Sequence, residues 1–481
     1  MSADPIGLDA HEAALAREMS LLNLPPKTWL TPRAGVHDVV IVGGGVSGLC
    51  AAAALRFLGV ENVTVLDRAP EGREGPWITY ARMRTLRTQK EITGPALGVP
   101  ALTPRAWFEA QFGAEAWAKL DRMPRPMWMD YMNWYRRVLA LPVQNNADVA
   151  GVSLRDDGLI EIALRDTHEL LLARRVVLAT GLDGLGEPVA PRVAHTVDRR
   201  FWAHSSDDID FAVLRGKRIG VIGAGASAMD NAATALEAGA ASVDMLIRRK
   251  EMPRVDKFSG VGSRGMAHGF LGLPPDVKWD VFRMGQKAQL PAPRHSVQRV
   301  SQHPNARFHF GSPILSLQER DGALDVTTAK GVHRLDFLIF ATGFSIDLAA
   351  RPELATLAPH VRLWRDSFTP LTGEEDEMLA ASPDLGPAFE FREKIPGACP
   401  GLNSIFAFNY AAVLSHGKLT SGIPSISDGA QRLAQGIARG LFVEDRSEFV
   451  ARFANYDTPE LLGDEWTDAD ASPQKSEFSH A

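Results

Sequence analysis

Gly43, Gly45 and Gly48 stand in G-x-G-x-x-G spacing inside DVVIVGGGVSGLC, and Asp67 follows nineteen residues after Gly48, in VTVLDR. Each residue type has a task at that spacing. Gly43 permits the tight turn out of a strand, Gly45 lets a pyrophosphate approach bare backbone, and Gly48 lets the helix pack close to the strand. The helix that starts there offers unpaired N–H groups and the positive end of its dipole to phosphate oxygens. A carboxylate at Asp67 accepts hydrogen bonds from ribose hydroxyls. A second device of the same kind follows: Gly223, Gly225 and Ala228 in KRIGVIGAGASAMD, a G-x-G-x-x-A variant. Twenty residues past Ala228 the acid is missing, and Arg248, Arg249 and Lys250 stand in its place. Guanidinium groups bind a 2′-phosphate through charge-assisted hydrogen bonds where a carboxylate would repel it, so the second turn reads as a site for NADP(H). The first then reads as a site for FAD, because two pyridine nucleotides would have no reason to face each other. Hydride enters from NADPH, and the flavin carries the difficult chemistry.

The elements that position these residues follow from the apolar pattern. DVVIVGG reads as a buried strand, Ala51 to Leu58 as an alanine-rich helix and NVTVLD as the next strand. That is a β–α–β unit with a parallel sheet. The same order recurs in KRIGVIG, the helix around Ala228 to Ala238, and SVDMLIRR. Two further strand patterns, RRVVLATG and LDFLIFATG, end at Gly181 and Gly343. Before each lies a polar alternating stretch, VSLRDDGLIEIALRD and ALDVTTAKGVHRLD, that reads as an antiparallel hairpin. The fold class expected is α/β, with two Rossmann-like three-layer dinucleotide-binding domains, the second inserted in the first. The expected boundaries are an N-terminal extension at 1–37, a discontinuous FAD-binding domain at 38–190 and 335–460, an NADP-binding domain at 191–334, and a flexible C-terminal tail at 461–481.

Composition narrows the function classes. The chain has 481 residues and a formal net charge of −6, which speaks against a nucleic-acid binder. Two distant cysteines, Cys50 and Cys399, exclude a disulfide framework and a Cys-x-x-Cys redox pair. Disulfide reductases share the two-nucleotide architecture but need such a pair, so they are set aside. No apolar run is long enough to span a bilayer, and the N-terminal stretch, with early acids and no apolar segment, is not a secretory signal. The expectation is a cytoplasmic protein without stable membrane insertion, with its oligomeric state open. Neither HExxH nor a metal-spaced His/Cys cluster stands in the sequence, and no metal site is expected.

From Asp38 to Gly440 the chain resembles the flavin-containing monooxygenases and their class B relatives, which include Baeyer–Villiger and N-hydroxylating monooxygenases. The resemblance is carried by the two glycine turns, the two ATG strands at Ala179–Gly181 and Ala341–Gly343, and GPW at Gly75–Trp77. LRTQKEITGP is similar to the family stretch where a Thr-Asn pair lies beside the flavin; Thr88 matches, and Gln89 stands where Asn is usual. GASAMD is similar to the family's second loop, with Ser227 and Asp230 in their usual places. The family fingerprint F-x-G-x-x-x-H is altered: DRRFWAHSS keeps His204 and Ser205, but Asp198 and Arg200 replace the Phe and Gly.

The resemblance implies an NADPH- and FAD-dependent monooxygenase that forms a C4a-(hydro)peroxyflavin and oxygenates a small organic substrate with O2, at nitrogen or sulfur in preference to a ketone. Baeyer–Villiger oxidation, or NADPH-dependent flavin reduction without oxygen insertion, are the alternatives. It also implies Gln89 as the polar group at the reacting oxygen, and Trp77, Thr88, Gly181, Ser227, Thr342 and Gly343 as cofactor-binding residues. In SISDGAQRLAQGIARG, Ser427 or Asp428 reads as the N-cap of a helix. In related flavoproteins a helix at this place aims its positive end at the flavin pyrimidine. The loop before it carries Tyr410, Ser415, His416 and Lys418, and their roles stay open, as does that of His204. Met252 to Gln298 breaks the β–α alternation and reads as a helical lid or subunit contact. Trp107, Trp117, Trp128 and Trp134 read as core.

Overall fold

The computed structural model describes residues 5–420 and 422–470; the ends of the expected N-terminal extension and C-terminal tail, 1–4 and 471–481, lie outside the described residues. The strands in chain order are β1 Val36–Val42, β2 Val63–Leu66, β3 Val143–Gln144, β4 Val149–Leu154, β5 Ile160–Leu164, β6 Leu170–Leu178, β7 Trp202–His204, β8 Arg218–Ile222, β9 Ser242–Ile247, β10 Ala306–Phe310, β11 Ile314–Arg320, β12 Ala323–Thr328, β13 Gly331–Leu335, β14 Phe337–Phe340 and β15 Ile405–Ala407. The helices are α1 Leu8–Leu21, α2 Val46–Arg56, α3 Pro104–Phe112, α4 Ala114–Lys119, α5 Arg125–Val138, α6 Ala226–Glu237, α7 Arg264–Gly269, α8 Pro275–Ala288 and α9 Arg294–Ser301. Then come the one-turn helices α10 Trp364–Ser367, α11 Glu377–Ala380 and α12 Val413–His416, and finally α13 Ile426–Glu444 and α14 Arg446–Ala454. Among the described residues no helix is long and apolar enough to cross a membrane.

The first sheet runs β3-β2-β1-β6-β5-β4. Its strands β1, β2, β3 and β6 are parallel, and Val39, Val40, Ile41, Val176 and Val177 are fully buried, as a sheet covered on both faces requires. The far edge of β6 is shared: Leu170–Ala173 pairs antiparallel with β5, and Val176–Leu178 pairs parallel with β15. The four tryptophans Trp107, Trp117, Trp128 and Trp134 are buried.

The second sheet is all parallel, in the order β10-β9-β8-β14-β7. On one face Val221, Val243, Met245 and Ile339 pack with the alanines and Met229 of α6 and with Val300 of α9. On the other, Trp202, Leu246, Leu338 and Phe340 pack against Leu317, Leu324, Val326 and Leu335 of the antiparallel meander β11-β12-β13. This is a helix–sheet–meander sandwich. One expected boundary moves: β14 lies beyond 334, yet it pairs with β8 and β7. A cut at 334/335 would split the second sheet, because an apolar run ending in ATG looks alike in β6 and β14, and only long-range pairing tells which sheet it joins.

In both sheets the glycine turn sits at a switch of strand order. The chain moves from β1 to β2 and β3 on one side, and β6 later joins the other; β8, β9, β10 and β14 repeat the pattern. Such a switch leaves a crevice at the carboxyl ends of the strands.

The unit holding both sheets ends at Ala438, and Arg439–Ala481 forms a unit of its own, so the expected end of the FAD-binding domain at 460 falls inside the second unit. That unit contains the end of α13, then α14, where Phe442 and Phe449 meet at 4.6 Å between ring centroids.

Candidate active site

The first glycine turn is closed by sterics on two sides. A Cβ on Gly43, whose φ is +109°, would stand 2.4 Å from the Ala179 carbonyl oxygen, and one on Gly48 would stand 1.8 Å from the Gly43 carbonyl oxygen. Gly45, by contrast, faces open space, its nearest neighbour at 3.9 Å being the Gly75 backbone. Asp67 is buried at the end of β2, and its carboxylate accepts the Gly44 N–H at 2.6 Å and the Ala69 N–H at 2.7 Å. This fixes the turn and leaves each carboxylate oxygen further lone pairs for a ribose.

A cavity of about 420 Å³ opens from this turn. Gly43, Gly45, Asp67, Trp77 and Gly181 line it, together with Tyr80, Arg351, Tyr410, Thr420 and the start of α13 at Ile426. Trp77 is held edge-on to Trp128 at 5.8 Å. Burial and the Asp183 carboxylate push the Tyr80 pKa up to about 12, and burial raises that of Tyr410. Both phenols therefore remain neutral O–H donors at physiological pH. The cavity floor is tied by Asn409, fully buried, whose amide donates to the Leu178 carbonyl at 3.0 Å and to the Thr180 hydroxyl at 3.2 Å. Thr420 in turn donates to the Asn409 carbonyl at 2.6 Å. Bare glycine backbone, a carboxylate in the cavity wall and neutral phenol donors fit a flavin dinucleotide.

The second turn repeats the frame. A Cβ on Gly223 would stand 2.7 Å from the Ala341 carbonyl oxygen and 3.3 Å from the Cβ of Ala228. Ser227 is exposed, and its carbonyl accepts from Asn231 at 2.8 Å. Arg248 is exposed and makes no hydrogen bond or ion pair among the described residues. Arg249 is engaged: its guanidinium donates to the Lys287 carbonyl at 2.8 Å, at the C-terminus of α8. There Gln289, at φ +61°, brings its amide nitrogen to 3.8 Å from where a Cβ on Gly225 would be. A non-glycine residue in that region is uncommon and held by its surroundings.

Thr342 and Gly343 leave β14 into a connection between the sheets. The Thr342 hydroxyl donates to the Val189 carbonyl, and the Val189 N–H to the Gly343 carbonyl at 2.9 Å. Ser345 N–H to Glu187 and Asp347 N–H to Leu185, at 2.9 and 2.8 Å, continue the pairing. The outgoing and returning connections are thus hydrogen-bonded to each other. His204, at the end of β7, pairs with β14 and meets the Phe344 ring edge-on at 5.6 Å.

Thr88 and Gln89 do not line the first cavity, and Gln89 is exposed. They follow Arg87, whose guanidinium pairs at 3.1 Å with the buried Asp230 on α6. Arg299 of α9 lies 3.6 Å from Asp230 and grips Glu237 at 2.8 Å, and Arg84 reaches Glu237 at 3.0 Å. This ionic clasp fastens the 84–89 segment to the helix behind the second glycine turn.

The start of α13 differs from the expectation. The helix begins at Ile426, after a 3-10 turn at Ile423–Ser425. Ser427 is no cap: its hydroxyl donates to the Gly94 carbonyl at 2.7 Å and accepts the Leu97 N–H at 3.0 Å. Asp428 turns away from the cavity to Arg264 at 2.6 Å.

His416 is a packing residue. It stacks on Phe389 at 3.8 Å, its Nε2 donates to the Gly386 carbonyl at 2.9 Å, and its Nδ1 accepts from Arg432 at 3.3 Å. Burial pulls its pKa down to about 3. Lys418 stands over the Phe258 ring at 3.6 Å. Phe258, Phe270, Trp279 and Phe282 from the 252–298 excursion pack on Trp364, Leu379, Val413 and Leu414.

Tyr80, Asn409, Thr420 and Gln289 were not singled out in the sequence. The one local signal was Asn409 in FAFNY, a polar residue closing an apolar strand.

A family profile described as pyridine nucleotide-disulphide oxidoreductase matches residues 40–260, the span of both glycine turns. The chain's two cysteines, Cys50 and Cys399, are free. The fold is similar to L-lysine 6-monooxygenase from Pseudomonas syringae, with a TM-score of 0.66, 17% identity, and coverage of 84% of this chain and 99% of that one. It is similar to ornithine N-hydroxylase from Kutzneria sp. 744 in its reduced FAD, NADP+ and L-ornithine complex, with a TM-score of 0.64, 16% identity, and coverage of 84% and 99%. In sequence the chain is 40% identical over 464 residues to FAD-dependent urate hydroxylase from Xanthomonas campestris pv. campestris, covering 94% of this chain and 97% of the relative. A likeness of that strength along nearly the whole of both chains means that this protein belongs to the family of flavin-dependent monooxygenases, as an FAD-dependent oxidoreductase.

Proposed function

We propose that the protein is an NADPH-dependent urate hydroxylase, or hydroxylates a purine oxidised like urate. The observation that carries this reading is the 40% identity to a urate hydroxylase over almost the full length of both chains. The balance is NADPH + H+ + O2 + substrate → NADP+ + H2O + hydroxylated substrate. Bound FAD supplies acceptance of the hydride and activation of O2 at its C4a carbon.

The chain's own residues bind, orient and exclude water. Gly43, Gly45 and the start of α2 cradle the FAD pyrophosphate, and Asp67 takes its ribose. The start of α13 lines the cavity, and the positive end of a helix at that place favours negative charge on a bound ring. Arg248 receives the NADPH 2′-phosphate, and Arg249 shares it on leaving the Lys287 carbonyl. Asp230 holds Thr88 and Gln89 beside the second turn through Arg87, which supports a polar contact from Gln89 where the two cofactors meet. Oxygenation of nitrogen or sulfur is the second reading, favoured by the Asp198 and Arg200 departures ahead of His204.

The test mixes the FAD-loaded protein with NADPH and O2 in the presence of urate, L-ornithine, L-lysine, a sulfide or a ketone. Urate is expected to accelerate NADPH oxidation and to disappear one for one with it. Acceleration by an amine or sulfide alone would move the reading to heteroatom oxygenation. NADPH oxidation that yields only hydrogen peroxide with every compound would leave a flavin reductase.

A further inference from the structure

We propose that Asp244, His309 and His333 bind one divalent transition-metal ion of the zinc type, at a site separate from both glycine turns. The three residues come from three strands. Asp244 lies on β9, between residues Val243 and Met245 that face the α6 side, so its side chain points toward the meander. In the parallel ladder Arg307 of β10 is its register partner, and His309 lies two residues on, on the same face. His333 comes down from β13. One ligand atom from each residue lies within 4.8 Å of the other two.

The chemistry of the set fits the ion. Two imidazole nitrogens and a carboxylate are borderline ligands that zinc accepts, and three protein ligands leave a fourth position open to water. The His309 Nε2 is 2.7 Å from the Asp244 carboxylate, and the His309 and His333 rings meet edge-on, at 4.6 Å and 71°. Ligand atoms around a four-coordinate zinc stand about 3.4 Å apart, so small side-chain rotations suffice. Asp244 is nearly sealed, with 7% of its side chain exposed, within a layer contact otherwise built from leucine, valine, tryptophan and phenylalanine. Its present partner, Arg307, lies at 3.1 Å but is 60% exposed, so its guanidinium can swing into solvent when the ion takes its place. Bound there, the ion would clamp the meander onto the second sheet; it takes no part in the flavin chemistry.

The experiment uses full-length, FAD-loaded protein stripped with a chelator, then dialysed against Zn2+ or Co2+. Expected are one equivalent retained, a visible Co2+ spectrum of four-coordinate type, and a Tm raised by several degrees with Zn2+. His309→Ala and His333→Ala should lose all three. Arg307→Gln removes the competing cation and should bind about tenfold more tightly; it also serves if the histidine variants fold poorly. Retention no greater than in His333→Ala, or a Co2+ spectrum of the six-coordinate aqueous ion, would overturn the site and leave a hydrogen-bonded Asp–His–Arg cluster only. Unchanged or weaker binding in Arg307→Gln would also overturn it.

Discussion

At the first glycine turn a methyl on Gly48 would stand 1.8 Å from a backbone oxygen; at the second the matching residue, Ala228, carries one. The strand, the helix and the alanine carbonyl behind the turn are otherwise the same. The first turn therefore has no room for a side chain at this position, while the second accommodates the methyl of Ala228, 3.3 Å from where a Cβ on Gly223 would be. The ends of the two acceptor strands differ as well. Gly181 opens on the cavity, whereas Thr342 and Gly343 are bound into the connection between the sheets. The first turn is therefore closed in by backbone. The second is followed, at the end of β9, by side chains that are exposed, as Arg248 is, or engaged, as Arg249 is.

The largest expected break in this comparison is Gly48→Ala, which should cost about 3 kcal/mol or more through overpacking and leave purified protein with under a tenth of its flavin. Ala228→Gly should keep flavin and fold, and flavin absorbance per chain with a melting curve separates the two. Next comes Arg248→Gln. Losing a charge-assisted phosphate contact of about 2 kcal/mol should raise the KM for NADPH roughly thirtyfold and narrow its advantage over NADH, with kcat nearly kept. Asp230→Asn should lower stability by about 2 kcal/mol by unpairing Arg87 and weakening the clasp on Arg299, and should lower kcat without loss of bound flavin. A fall in flavin content instead would mean that the clasp serves the first turn.

Near neutral pH the smallest effect is set by protonation, and it falls on the first module. His416 is neutral in the fold with a pKa of about 3, against an ordinary 6.5, so the unfolded chain binds an extra proton between those limits. Stability from this group is full above about pH 6.5 and falls by about 1.4 kcal/mol per unit as pH drops below it. His416→Gln should flatten the acid limb of the Tm profile; an unchanged limb would assign acid sensitivity elsewhere.

The glycine turns were legible because their constraint is local: spacing along twenty residues states which backbone needs no side chain. The two hairpins before the ATG strands were legible for the same reason, and both form, as β4–β5 and β12–β13. What the sequence could not state depends on partners far away in the chain. β14 joins a sheet through pairings with β7 and β8 that its own residues do not encode. Ser427 looks like a cap until Leu97 claims its hydroxyl. Asn409, itself held by Thr420, meets the end of β6 only after the whole second module has intervened. Gln289 reaches the second turn because α8 ends there.

The shared edge of β6 has a consequence for the order in which the protein is made. Its neighbour β15 is translated only after residue 405, so the ribosome must deliver the entire second sheet, and its meander, before the first sheet has its last strand. At about 5–20 residues per second that interval is roughly ten to forty-five seconds. Before its end, once β14 is made at Phe340, the later module has every strand of its sheet, while the earlier one still waits with half of β6 uncovered. The nascent chain thus completes its second sheet first, and the cavity beside the first glycine turn, lined by Tyr410, Thr420 and Ile426, is finished after it.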